Sequence, residues 1–157
     1  MSTPPTSSNA TKLGWGDKHF LSNATKAGME EVAISRVAAE RSTNPEVKAL
    51  AQKIVSDHES TNSQLTQLAT MDGVELSNGL EKHDAKLTEK WQKKESGTDF
   101  DKAYLKQMVD DHEDAIDAYR KAAKSDNSDI ATLAGKTLPT LQEHRTRAEE
   151  LRKQLGD

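Results

Sequence analysis

The sequence predicts an all-α protein, a four-helix bundle with a long crossover that contains a short helix between the second and third long helices. Three observations carry this. Charged residues make up 31% of the chain and aromatics only 4%, which suits slim helices packed through small side chains better than broad sheets. Apolar residues recur three or four apart along four separate stretches. Between the stretches lie the Pro, Gly, Asn and Ser residues that start and stop helices. At 157 residues the chain has the length of one domain of about 150.

In chain order, residues 1–16 are expected to be a disordered polar leader and 17–157 the bundle. The segment STPPTSSNATKL has too little apolar surface to offset the entropy of ordering it. Asp17 opens a first helical stripe through Phe20, Ala24, Ala27, Glu31, Ile34 and Ala38, ending near Arg41. Pro45 suits a first helical position, and Val47, Leu50, Ile54, His58, Leu65 and Leu68 carry a second stripe to about Met71. Gly73, Gly79 and Gly97 mark the crossover of 72–98, where Leu80, Leu87 and Trp91 predict the short helix. A third stripe, from Asp99 to about Lys124, holds Leu105, Met108, His112, Ile116 and Tyr119. The last joins Ile130, Leu133, Thr137, Leu141, His144, Ala148 and Leu151 and stops near Gly156, with a kink expected at Pro139. Asp17-Lys18, Phe20-Leu21 and Ala38-Ala39 recur 84 positions later as Asp101-Lys102, Tyr104-Leu105 and Ala122-Ala123, as two copies of a helical hairpin would.

Several function classes drop out. The absence of cysteine removes disulfides, thiolate metal sites and cysteine nucleophiles. A net charge of -4, with both signs interspersed, offers no basic stripe for nucleic acid. No apolar run approaches the ~18 residues of a membrane span, and no phosphate loop, Ser-His-Asp constellation or HExxH motif is present.

Glu31, His58, His112 and His144 stand at positions where their stripes otherwise hold apolar residues, one on each long helix. Counting from the turns near Thr43 and Asn127, they lie 12, 15, 15 and 17 residues away. At 1.5 Å per residue that is about 18 to 26 Å, near mid-height of each helix. The level is shared whether the two turns sit at one end of the bundle or at opposite ends. A single histidine on such a stripe is ordinarily a hydrogen-bonded core residue. Four ionisable groups at one level must compensate one another, and one divalent transition metal (zinc, iron, manganese or copper) would do so through three imidazoles and a carboxylate. The competing reading is a polar core layer without metal, in a structural or protein-interaction module whose partner the sequence does not name.

Asp57 and Asp111, each preceding a histidine, are candidates to orient the rings, although neighbours on a helix point about 100° apart. Glu30 lies off the stripe and is expected in solvent, Met108 is expected to fill core volume, and His19 and His83 are expected at the surface. The acidic run Asp110, Asp111, Glu113, Asp114 and Asp117 reads as a solvated helix face.

The residues Gly28-x-x-Glu31-Val32, Val55-x-Asp57-His58, Phe100-Asp101-x-x-Tyr104, Asp111-His112 and Leu138-Pro139-x-Leu141-x-x-His144 resemble the bacterial family known as domain of unknown function 4142. The likeness spans about residues 17 to 155. It implies a ferritin-like four-helix fold, an exported protein, and recurrent polar positions at Glu31, His58, His112 and His144, but no agreed activity. On this resemblance the polar leader is what remains after signal removal, with Met1 added for initiation. The paired Glu-x-x-His motifs of ferritin-like enzymes would place glutamate at Val55 and Leu141, so a two-metal ferroxidase centre is not expected and no catalytic residue is assigned.

Overall fold

Three helix starts in this chain are marked by side chains that accept from free backbone N–H groups. The computed structural model describes residues 12–76 and 79–156, and residues 1–11 of the expected leader lie outside the described residues. Among the described residues there are five helices: α1 (Trp15–Arg41), α2 (Pro45–Met71), α3 (Leu80–Gln92), α4 (Thr98–Ala122) and α5 (Ser128–Leu155). The Asn44 side chain accepts from the N–H groups of Glu46 and Val47, ahead of Pro45 in the first turn of α2. Asn127 does the same for Ile130 at the head of α5. The Gly14 N–H donates to Asp17, so α1 begins at Trp15, two residues before the start read from the sequence. Among the described residues there is no strand, and no helix is long and apolar enough to cross a membrane.

Helix α5 continues through Pro139. The carbonyl that proline leaves without a donor is that of Gly135, and both residues are exposed, so water can serve it.

Contacts at the two ends fix the directions of the helices. The Thr43 hydroxyl and the Asn44 N–H both donate to Asp101 Oδ2 at 3.2 Å, joining the α1–α2 turn to the start of α4. At the far end the Ser125 hydroxyl donates to Asp17 at 2.6 Å, joining the α4–α5 turn to the start of α1. Helices α2 and α4 therefore run parallel, α1 and α5 run against them, and the two turns lie at opposite ends. The crossover returns along the outside through α3, which rests on α1. Arg41 donates to the Lys94 carbonyl at 2.6 Å, and Trp91 packs edge-on to Phe100 and Tyr104.

The apolar core falls into two clusters. One contains Ile34, Ile54, Trp91, Tyr104, Val109 and Ala148, and the other Leu21, Leu65, Ile116, Leu133 and Leu141. Each long helix passes from one cluster to the other, and Glu31, His58, His112 or His144 lies between. A single polar layer divides the core.

One stripe was misregistered by sequence. In the first half of α1 the buried residues are Leu21, Thr25 and Gly28, while Phe20, Ala24 and Ala27 are only partly covered or exposed. Thr25 and Gly28 look less apolar than the alanines beside them. Gly28 is inside because α2 comes close there: a Cβ on it would run into the Asn62 carboxamide.

Candidate metal centre

The polar layer is buried, with Glu31 2%, His58 6%, His112 0% and His144 1% exposed. Helices α2, α4 and α5 bring their three imidazoles together, so that one nitrogen from each lies within 4.8 Å of the others. His58 Nε2 is 3.4 Å from His112 Nε2, which is 3.2 Å from His144 Nδ1. Glu31 sits at the edge of this triplet, with Oε2 2.7 Å from His58 Nε2 and Oε1 4.0 Å from His112 Nδ1. Among the described residues, His58 Nε2 is the one close polar partner that this buried Oε2 has.

The outer ring nitrogens settle the tautomers. His112 Nδ1 is 2.8 Å from the Met108 carbonyl, which can only accept, so Nδ1 carries the proton. His144 Nε2 is 2.7 Å from Asp57 Oδ2 and donates to that carboxylate. A neutral ring with one nitrogen protonated presents a lone pair at the other. His112 Nε2 and His144 Nδ1 therefore turn lone pairs toward each other and toward His58.

Charge follows the same division. Burial pushes the Glu31 carboxyl up, but the facing positive charge of His58, with His112 and His144 beyond, outweighs it and holds Glu31 below the usual range. Burial pulls the His58 imidazole down, and Glu31 reverses that and raises it. His112 is lowered by burial, with Glu31 opposing. Burial lowers His144 to about 4 against the bond from Asp57. Without metal, Glu31 therefore favours the carboxylate and His58 the imidazolium, while His112 and His144 favour the neutral ring.

Some of the other sequence-marked residues fall where expected and some do not. Asp57 orients His144 across the α2–α5 interface rather than its neighbour His58, because one step along α2 turns its side chain toward α5. Asp111 accepts from Gln107 at 3.0 Å and makes no hydrogen bond to a histidine. Burial, with the facing charges of Glu31, Glu30 and Asp114, pushes its carboxyl up to about 7. Glu30, expected in solvent, is partly covered and meets His83 of α3 at 3.0 Å, while His83 is exposed as expected. His19 is exposed against Trp15. Met108 fills core volume, and its sulfur accepts from Ser35 at 3.7 Å. The Ser35–Tyr104 hydroxyl pair at 2.7 Å, one helical turn from Glu31, was missed. Its one sequence signal was a serine four residues after Glu31 on the buried stripe.

A groove of about 830 Å³ runs between α1 and α4 and reaches Glu31 and His58 from outside.

No curated protein matches the chain. Among solved structures, the crystal structure of a DUF305 fragment from Deinococcus radiodurans is similar in fold, with a TM-score of 0.77 at 13% identity over 92% of this chain and 99% of that one. The profile of one family, described as a domain of unknown function, matches residues 2–151, and the chain belongs to that family, DUF4142.

Proposed function

We propose that this protein binds one divalent transition-metal ion inside its helical bundle, through His58 Nε2, His112 Nε2 and His144 Nδ1 with the Glu31 carboxylate as a fourth ligand, and serves metal handling or stress protection. The observation that carries this is the pair of lone pairs facing each other from His112 and His144, each fixed by an outward N–H already given to an acceptor. That is how proteins hold imidazoles for a metal. The buried Glu31 carboxylate, 2.7 Å from His58 Nε2, fits the same donor set. Nitrogen and carboxylate donors suit zinc, iron, manganese or copper.

We read the fold as ferritin-like. Support comes from the parallel run of α2 and α4, the long crossover through α3, and an ionisable residue from each long helix at one level. Val55 and Leu141 stand where bridging carboxylates would be needed, which favours a single ion over a two-metal centre and gives no ground for assigning a reaction. Export remains part of this reading on family resemblance alone, and a longer native precursor with an apolar signal would bear on it.

A second reading has its own support. The contacts Glu31–His58–His112–His144–Asp57 cross all four long helices, as a layer that specifies helix pairing would. Elemental analysis of untagged protein purified without added metal, followed by zinc, iron, manganese and copper titrations, separates the two. Near one ion per chain, lost on changing His58, His112 or His144, supports the metal site. No specific binding of any of the four metals sinks it.

A further inference from the structure

The geometry points to the groove between α1 and α4 as the route by which a divalent cation reaches the three histidines, with Asp111 and Asp114 drawing it in and Glu31 receiving it at the floor. This rests on the metal reading above.

The groove is shaped for passage. On α1 its lining includes the small residues Ala24, Ala27 and Gly28 beside Glu31, with Trp15, His19 and Phe20 nearer the start of the helix. On α4, Asp117, Asp114 and Asp111 line it in succession, with Asp111 next to the level of His112. At 1.5 Å per residue these carboxylates form a ladder about 9 Å long. Its lining holds six carboxylates against one lysine, Lys121. Among the described residues no lysine or arginine pairs with Asp111 or Asp114, whereas Asp110, on the outer side of α4, is matched by Lys106 at 3.3 Å. A low-dielectric cleft lined by one sign of charge concentrates ions of the other sign. The observation independent of that charge is at the floor, where Glu31 and His58 both line the groove and His58 is one of the three buried histidines whose nitrogens lie within 4.8 Å of one another.

The layer has another approach, a groove between α2 and α5 that reaches His144. There Lys53 contacts Glu143 and Asp57, and Arg147 contacts Glu46 and Glu150, so its carboxylates are already matched by cations. The second groove is close to charge balance while the first is strongly acidic, and the acidic run on α4, which sequence assigns to a solvated face, is partly the wall of the favoured one.

Stopped-flow mixing of the metal-free full chain with cobalt(II), read by its d–d absorption, tests the route. Asp111→Asn with Asp114→Asn should slow association about tenfold at low ionic strength. With both pairs compared at pH 8, where the Asp111 carboxyl is mostly ionised and the two double changes remove nearly the same charge, Glu143→Gln with Glu150→Gln in the other groove should slow it less than twofold. The gap should narrow in about 0.5 M salt. Equal slowing in both double variants, or none in either, overturns the route while leaving the metal site standing. A changed final spectrum in the Asp111/Asp114 variant also overturns it, by making one of them a ligand. If the unaltered chain gives no saturable cobalt spectrum, the route for a divalent cation fails, and the metal reading falls with it where zinc, iron, manganese and copper also fail to bind.

Discussion

His112 Nε2 and His144 Nδ1 lie 3.2 Å apart with neither able to donate to the other while both rings are neutral. Their protons are held on the outer sides, by the Met108 carbonyl and the Asp57 carboxylate. Only a proton from His58 or a cation can relieve that opposition, and one proton cannot serve both nitrogens equally. The short contact thus ties the buried layer to whatever positive charge occupies its centre.

Replacing His112 with leucine should abolish metal binding while leaving the metal-free fold intact. The Met108 carbonyl keeps its helical bond, the volume is nearly conserved, and one of two opposed lone pairs is removed, so stability should change by less than about 1 kcal/mol. Metal at a hundredfold above its Kd should stabilise the unaltered protein by about 2.7 kcal/mol and the variant not at all. Thermal melts with and without each metal read both effects, and an equal metal-induced shift in the variant would exclude His112 as a ligand.

Asp57→Asn keeps an acceptor for the His144 N–H but removes the charge that makes the ring more basic. Metal affinity should weaken roughly tenfold, the mild end of the range for groups behind a ligand. The accompanying loss of the Lys53 contact, at 3.6 Å on a half-exposed lysine, should matter little. Competition against a chromophoric chelator measures the change, and an unaltered Kd would remove His144 from the ligand set.

Asp111→Asn should stabilise the metal-free protein at alkaline pH. In the folded chain burial raises its carboxyl from 3.8 to about 7, so between these values the native state holds a proton that the unfolded chain has released. Stability is therefore lost as pH rises through that window and stays lower above it. Allowing for the solvent that still reaches the group, the variant should gain about 1 kcal/mol at pH 8, or roughly 2–4 °C, and nothing at pH 4. Melting temperatures across pH in the presence of chelator decide it, and a parallel offset at every pH would mean the carboxyl does not titrate as described.

Much of this was legible in the spacing of residues. The four long helices follow from apolar stripes bounded by Pro45, Asn44 and Asn127, and the shared level of the four polar residues from counting back to the turns. Periodicity assigns a residue to a face only within about one position, which is why Ala24 and Ala27 were placed inside and Thr25 and Gly28 were not. It says still less about partners across an interface. Asp57 was paired with its neighbour His58 because sequence supplies neighbours, whereas the packing of α2 on α5 hands it to His144. The Glu30–His83 contact was hidden for the same reason, since no pattern in the crossover reveals which helix α3 will rest upon.

Metal binding should displace a proton from His58, and that exchange gives the layer a characteristic response to pH. Glu31 raises His58 above its ordinary 6.5, so the metal-free pair contributes stability that is fully present below about 6.5 and is lost as pH rises through the higher folded value. A bound ion needs the deprotonated ring and does the opposite, stabilising more as pH rises. The metal-dependent gain in melting temperature should therefore grow from pH 6 to pH 8. Below His58's pKa the affinity should fall about tenfold per pH unit, and more steeply as His112 and then His144, at about 4, also protonate. Calorimetry in buffers of different ionisation enthalpy should find close to one proton released per ion near pH 6.5. Tight stoichiometric binding that persists at pH 4, or release of no proton at all, would rule out a three-histidine ligand set and leave the layer as a hydrogen-bonded core.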